Sequence, residues 1–218
     1  MEIDRIQLEN VLPEVFAAGI APRRESEIWM LDLSFEKGRS YLVSASSGAG
    51  KTSLCAYICG IRSDYRGTIM FDGRDIRTIS QAGWNDIRQS AIAWLPQDAR
   101  LFPTLTAVEN VMLKASLTKY RNEKEARRML AELGLEPFAD RPARLLSAGQ
   151  QQRVAAVRAI CQPFSFLLLD EPVSHLDEAA NRALSEMIDA EVSRQGAGII
   201  TTSVGNDLLL ETDFVLCL

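Results

Sequence analysis

The chain has 218 residues, 47% of them hydrophobic and 24% charged, with a formal net charge of −5. That length is enough for one or two domains with a sizeable core, and the balance is that of an ordinary globular protein. The acidic excess leaves no broad basic face for sequence-independent binding, so no nucleic-acid partner is expected. No apolar run reaches the roughly 18 residues of a membrane span. Met1-Glu-Ile-Asp lacks the basic start of a signal peptide, so a cytoplasmic location is expected. Cys55, Cys59, Cys161 and Cys217 show no zinc-ligand spacing. Cys55 and Cys59 read as buried small hydrophobes, reduced by default.

Ile6 and Leu8 alternate with polar residues, as do Leu31, Leu33 and Phe35, which predicts two strands with one solvated face. Pro13 to Glu27 reads as a loop carrying Arg23 and Arg24, and Trp29 as strand core. Lys37-Gly38 is a turn into the short buried strand Tyr41-Leu-Val43, and a helix is predicted over Leu54–Ile61. Thr68–Phe71 followed by Asp72-Gly73 predicts a strand and hairpin. Ile92–Leu95 is a strand that stops at Pro96-Gln97-Asp98.

A helical block follows. Thr106 and Glu109 form one capping box and Ser147 and Gln150 another, while Asn122 caps a helix whose Ala126, Met129, Leu130 and Leu133 share a face. The Ser147 helix runs to Cys161. Phe166–Leu169 is a continuous apolar run, as expected of a covered parallel strand. Asp177 caps a long helix with Leu184, Met187 and Ile188 inward. Gly198–Thr202 and Phe214–Leu218 are the last strands, and no regulatory domain is expected after them.

The chemistry gathers at four places. Ala45-Ser-Ser-Gly-Ala-Gly-Lys-Thr-Ser53 joins a strand to a helix. Small residues let Ala45, Ser46, Ser47, Gly48, Ala49 and Gly50 turn backbone N–H groups towards a polyphosphate, and the helix N-terminus adds its own donors. Lys51 reaches the outer phosphates and the Thr52 hydroxyl is a Mg²⁺ ligand, with Ser53 beside it. The usual first glycine of this motif is Ala45 here. Second, the apolar strand ends in Asp170-Glu171, at the edge where ligands bind in parallel sheets. Asp170 fits a Mg²⁺ role and Glu171 that of base for a water; the alternative is an acidic pair that is only solvated or caps a turn. Third, Gln97 at a strand end can offer its amide to metal or water, or be a turn residue. Fourth, Ser147 and Gly149 open a helix N-terminus on the helical block, suited to a phosphate of a second subunit.

Taken in order, these residues resemble the ATP-binding cassette (ABC) ATPases over essentially the whole chain. The matches are the phosphate loop at Ala45 to Thr52, the Gln-loop at Gln97, the signature Leu146-Ser-Ala-Gly-Gln150, the strand ending Asp170-Glu171-Pro172, and the D-loop Ser174-His-Leu-Asp177. The resemblance implies an α/β fold: a P-loop NTPase core with an N-terminal antiparallel β layer and an inserted α-helical subdomain. Residues 1–97 and 156–218 would form the core, and 98–155 the helical subdomain with its own small core. It also implies a head-to-tail dimer of cassettes with two ATP molecules, each under Ser147, Gly149 and Gln150 of the other subunit, with Asp177 near the contact. Phe16 would stack on adenine or merely pack a loop. The family's γ-phosphate histidine is replaced by Ser203, implying slow hydrolysis.

The stretches from Ile76 and from Phe102 to Val111 resemble the branch serving lipoprotein release and macrolide export. That implies a separate integral membrane permease subunit, with the chain peripheral on the inner face of the membrane. Leu101, Phe102 and Pro103 are its candidate docking surface, or an ordinary apolar loop. The function expected is an ATPase subunit of an ABC transporter. The alternatives are a cassette that binds ATP and dimerises but hydrolyses poorly, and a soluble ABC ATPase outside transport.

Overall fold

The structure is a computed structural model that describes residues 2–17 and 26–218. The expected loop residues Arg23 and Arg24 lie outside the described residues. In chain order come strand β1 (Arg5–Pro13), a short helix α1 (Glu14–Ala17), β2 (Leu33–Glu36) and β3 (Ser40–Ser44). Helix α2 (Lys51–Ile58) follows, then β4 (Tyr65–Phe71), β5 (Arg74–Asp75), α3 (Gln81–Ser90) and β6 (Ile92–Leu95). The helices α4 (Ala107–Thr118), α5 (Glu123–Glu132) and α6 (Ala148–Ile160) precede β7 (Phe166–Asp170). Helix α7 (Glu178–Gln195), β8 (Gly198–Ser203) and β9 (Phe214–Cys217) complete the chain.

The strands form two sheets. β2-β1-β4-β5 is antiparallel and β6-β7-β8-β3-β9 is parallel. This is the expected α/β architecture with an antiparallel β layer. β7 and β8 are buried along their whole length, because both faces of the parallel sheet are covered. The period of two divides β7 between two cores. Leu167 and Leu169 join a cluster with α4, α5, α6 and α7, whereas Phe166 and Leu168 join α2 and the antiparallel sheet. Each such leucine contributes about 1.5–3 kcal/mol by leaving water.

The helical block therefore has no core separate from the sheet: Val111, Leu130 and Val154 share one cluster with Leu167 and Ile199. The expected boundary at 155/156 falls inside α6. All four capping sites read from the sequence form. Thr106 with Glu109, Asn122 with Glu125, and Ser147 with Gln150 are each reciprocal boxes. Asp177 caps α7 through Ala180 N–H at 2.8 Å.

Several local expectations are corrected. α2 starts three residues earlier than expected, and Ile61 lies beyond it, half exposed. Gly60, at φ +62, ends that helix, and the Trp84 ring would stand 2.3 Å from any Cβ there. Leu31 is outside β2, because Met30 at φ +63 breaks the extended run. Trp29 is buried, as expected, but in a turn and not a strand. Helix α3 has no counterpart in the sequence reading; it is polar nearly all round and buries only Ile87.

Candidate nucleotide site

The strands β6, β7, β8 and β3 are parallel neighbours, so their carboxyl ends share one edge. Ser44 pairs with Ser203, Asp170 with Thr202, and Leu95 with Leu169. That register brings the 45–50 loop, Asp170-Glu171, Ser203 and Gln97 together from four places in the chain. A cleft of about 470 Å³ there is lined by Ser46 to Gly48, Gly50 to Ser53, Gln97, Glu171 and Val204.

The loop is held from below. Trp29 Nε1 donates to the Ala49 carbonyl at 3.1 Å, and a Cβ on Gly50 would meet the rings of Trp29 at 3.0 Å and Phe16 at 3.2 Å. Gly48 and Gly50 take positive φ, +83 and +101, whereas Ala45 does not, which is why alanine replaces the usual glycine there without strain. Ala45 N–H donates to the Ser203 carbonyl at 3.1 Å. Phe16 packs beside the loop and stays partly exposed.

Lys51 is 4% exposed. Its Nζ donates to the carbonyls of Ala45 (3.1 Å) and Ser46 (3.0 Å) and lies 3.4 Å from Glu171 Oε1. Glu171 has φ +49, a left-handed posture that costs a non-glycine residue roughly 1–2 kcal/mol. Its N–H donates to the Thr202 carbonyl at 3.2 Å, and its Oε2 accepts from Gln97 Nε2 at 3.0 Å.

Asp170 is fully buried, on the α2 side of β7. Its Oδ1 accepts from Thr202 Oγ1 at 2.8 Å, and its Oδ2 has no hydrogen-bond partner among the described residues. A buried carboxylate oxygen without a donor is costly. A carboxylate oxygen without a donor, on the strand that ends at the cleft lined by Thr52, is what a hard cation such as Mg²⁺, or its water, satisfies. The residues present fit that ion. Ser53 also lines the cleft, and its Oγ accepts from Arg62 Nη1 at 2.9 Å, which leaves its O–H able to donate.

The placement of Ser203 is corrected. Its side chain is 1% exposed and spends its hydroxyl on the following turn, donating to the Asn206 carbonyl (3.2 Å) and accepting from Gly205 N–H (2.9 Å). The side chain that lines the cleft after β8 is Val204, 52% exposed. Val204 lies one residue past the end of β8, in the bend that follows, so sequence spacing alone could not separate the two.

Ser147 and Ala148 are exposed at the start of α6, away from the cleft lining. Gly149 is tightly approached: a Cβ would stand 2.7 Å from the His175 carbonyl. Gln150 closes the capping box, its Oε1 accepting from Ser147 N–H at 2.9 Å. Asp177 is committed to capping α7. The residue that sequence reading missed is Gln152, 4% exposed, which bonds the Glu171 carbonyl and the 174–175 loop. The only signal was a glutamine on the buried side of an amphipathic helix.

A second concavity, of about 520 Å³, lies between α3, α4, α6 and the segment after Gln97. Exposed Phe102, Leu113, Leu117 and Ile61 line it. Leu101, by contrast, packs against the core. Arg88, Arg100, Lys114 and Arg158 also line it, with no carboxylate among the lining residues. Arg88, Lys114 and Arg158 donate to backbone carbonyls, and burial pushes the Lys114 and Arg158 pKa values down.

The family described as ABC transporter matches residues 29–174, two-thirds of the chain, and the chain belongs to that family. It is 34% identical over 169 residues to the lipoprotein-releasing system ATP-binding protein LolD of Syntrophotalea carbinolica, covering 76% of this chain and 74% of that protein. That likeness agrees with the branch expected from the Ile76 and Phe102–Val111 stretches. An ABC transporter ATP-binding protein of Mycobacterium tuberculosis is 36% identical over 194 residues, 85% of this chain but only 58% of the relative, so the chain spans little more than half of that protein. Among solved structures, the dimeric structure of MJ0796, a bacterial ABC transporter cassette, superposes with TM-score 0.76 at 26% identity, covering 91% of this chain and 87% of that one. A post-hydrolysis state of that cassette bound to ADP and Pi gives TM-score 0.76 at 25% identity, covering 92% and 88%.

Proposed function

We propose that the chain is the ATP-binding and ATP-hydrolysing subunit of an ABC transporter, driving a separate membrane subunit through ATP-dependent pairing of two cassettes. The observation that carries this is the meeting, at one sheet edge, of a Lys51-bearing phosphate loop with the Asp170 and Glu171 carboxylates. Ser46 to Thr52 would cradle the phosphates with backbone N–H groups, and Lys51 would exchange the Ala45 and Ser46 carbonyls for phosphate oxygens. Thr52 and Asp170, with Gln97, would hold Mg²⁺, which neutralises phosphate charge when bound. Glu171, poised by Gln97, would take the proton of the attacking water. Phe16 is the side for the adenine. Ser147, Gly149 and Gln150, with Asp177 close by, would close over the partner cassette's ATP. Residues 1–97 and 156–218 act as the nucleotide-binding part and 98–155 as the signature part.

The membrane subunit would dock in the 520 Å³ groove, bringing an amphipathic segment with at least one carboxylate. Exposed apolar side chains beside cations, with no carboxylate among the residues that line the groove, support that chemistry. Phe102 belongs to this surface and Leu101 to the core beneath it. The chain itself offers no helix, among the described residues, long and apolar enough to cross a membrane. Attachment to the inner face of the membrane would therefore run through this subunit.

A second reading, a cassette that hydrolyses slowly, rests on a specific observation. The position facing the cleft after β8 is apolar Val204, and the Ser203 hydroxyl is spent on a turn. Neither of these side chains would then offer a donor to the γ-phosphate, a loss worth about 10²–10³ in rate by analogy with oxyanion-hole deletions.

The test is Glu171→Gln, sized in solution with ATP and Mg²⁺. The expected result is an ATP-dependent dimer, because the base is gone while the phosphate and metal contacts remain. A variant that binds ATP and stays monomeric would overturn a self-sufficient homodimer and point to a different partner cassette.

A further inference from the structure

The left-handed posture of Glu171 is anchored on both sides of its backbone. On one side its N–H donates to the Thr202 carbonyl of β8 at 3.2 Å. On the other its carbonyl accepts from Gln152 Nε2 at 3.1 Å. The same amide nitrogen reaches Ser174 Oγ at 3.3 Å, and Gln152 Oε1 accepts from His175 N–H at 3.2 Å. One buried side chain thus holds the Glu171 peptide and two residues of the following loop. It sits on the first turns of α6, whose Ser147 end is exposed and whose Gly149 packs directly on the His175 carbonyl. An amide is suited to this task, since it donates and accepts at once; neither alanine nor a carboxylate does both.

We infer that Gln152 is a positioning residue for hydrolysis: it ties the Glu171 peptide and the 174–175 loop to the start of α6, so that contact made by a second cassette at Ser147 and Gly149 sets the posture of this chain's own Glu171 carboxylate. The inference rests on the ATPase reading above. Loss of the Gln152 donor leaves the Glu171 carbonyl only the longer bond from Ser174 N–H at 3.4 Å and removes one anchor of the φ +49 conformation. Glu171 then relaxes away from Lys51 and Gln97, while the phosphate loop, made by other residues, is untouched. The chemical step slows and ATP affinity does not change.

The experiment compares the full chain with Gln152→Ala and Gln152→Glu, in single-turnover hydrolysis of pre-bound ATP and in equilibrium ATP binding. For Gln152→Ala the expected result is a rate at least about tenfold lower with affinity within about threefold, a split that general destabilisation does not produce. Gln152→Glu adds a second readout. When protonated, its carboxyl can still donate to the Glu171 carbonyl; when ionised it cannot, and burial favours the neutral form. Its rate relative to wild type at the same pH should therefore fall as pH rises from 6 to 8. A folded Gln152→Ala with the wild-type rate would overturn the inference. If Gln152→Ala fails to fold, a flat Gln152→Glu ratio overturns it instead. Lys51→Ala separates the two levels: wild-type turnover that does not need Lys51, or no wild-type turnover, sinks the ATPase reading and the inference with it. Lys51-dependent turnover with normal Gln152 variants sinks the inference alone.

Discussion

Lys51 Nζ stands 3.4 Å from Glu171 Oε1, so the ammonium of the phosphate loop and the carboxylate of the neighbouring strand end form a buried pair across the cleft. Both side chains are held by polar partners from their own side, Lys51 by the Ala45 and Ser46 carbonyls and Glu171 by Gln97. On the proposed reading, nucleotide would divide this pair. Lys51→Ala removes a charged donor worth about 1.5–3 kcal/mol, so ATP affinity should fall about 10- to 100-fold and turnover should vanish. Equilibrium titration with ATP and a phosphate-release assay check this. Unchanged affinity would remove the loop from the binding site.

Val204→His should speed the chemical step. It puts a donor on the wall of the cleft, where a side chain already points, and an increase of at least about tenfold is expected, about 1.4 kcal/mol of barrier. Ser203→His should not help. It forces a ring into a fully buried site and breaks two hydrogen bonds of the 203–206 turn, so it should lower stability by about 1–3 kcal/mol. Single-turnover rates and thermal melts of the two variants decide. A faster Ser203→His and an inert Val204→His would reverse the assignment.

Phe102→Asp with Leu117→Asp should release the membrane subunit while leaving basal ATP turnover in place. Both side chains are more than half exposed in the groove, so they contribute little to folding. Leu101→Asp should behave differently and unfold the chain, because Leu101 packs against the sheet-side core. Copurification from detergent, read beside the melting temperature of each variant, separates docking from folding. Retention of the partner by the double variant would exclude the groove.

Native alkylation at pH 8 should label Cys217 alone. Burial pushes the Cys59 and Cys161 thiols up to about 12 and raises Cys55 well above its ordinary value, whereas Cys217 is exposed. With a pKa near 12, only about one thiolate in 10⁴ exists at pH 8. The linkage sign follows from the same shifts. These thiols ionise near their ordinary value once unfolded, so their contribution to stability is complete below about pH 8.5 and is lost as pH rises towards 12. Melting temperature should fall across that window, and label on Cys59 or Cys161 in the native protein would contradict their burial.

The sequence by itself determined the local devices. Each capping box needs only residues three apart, and Thr106 with Glu109, Asn122 with Glu125 and Ser147 with Gln150 all form as their types dictate. The phosphate loop was legible for a similar reason, since its small residues and Lys51-Thr52 lie in one uninterrupted run between a strand and a helix. The apolar β7 declared itself a covered strand and carried Asp170 and Glu171 to its end. What the tertiary structure alone decided depends on contacts between distant segments and on which way one side chain faces. The missing partner of Asp170 Oδ2, the αL turn of Glu171 and the grip of Gln152 on its carbonyl each involve elements separated by many residues. That Val204 and not the Ser203 side chain lines the cleft turned on the bend just past β8, which takes up the Ser203 hydroxyl and leaves no trace in composition or spacing.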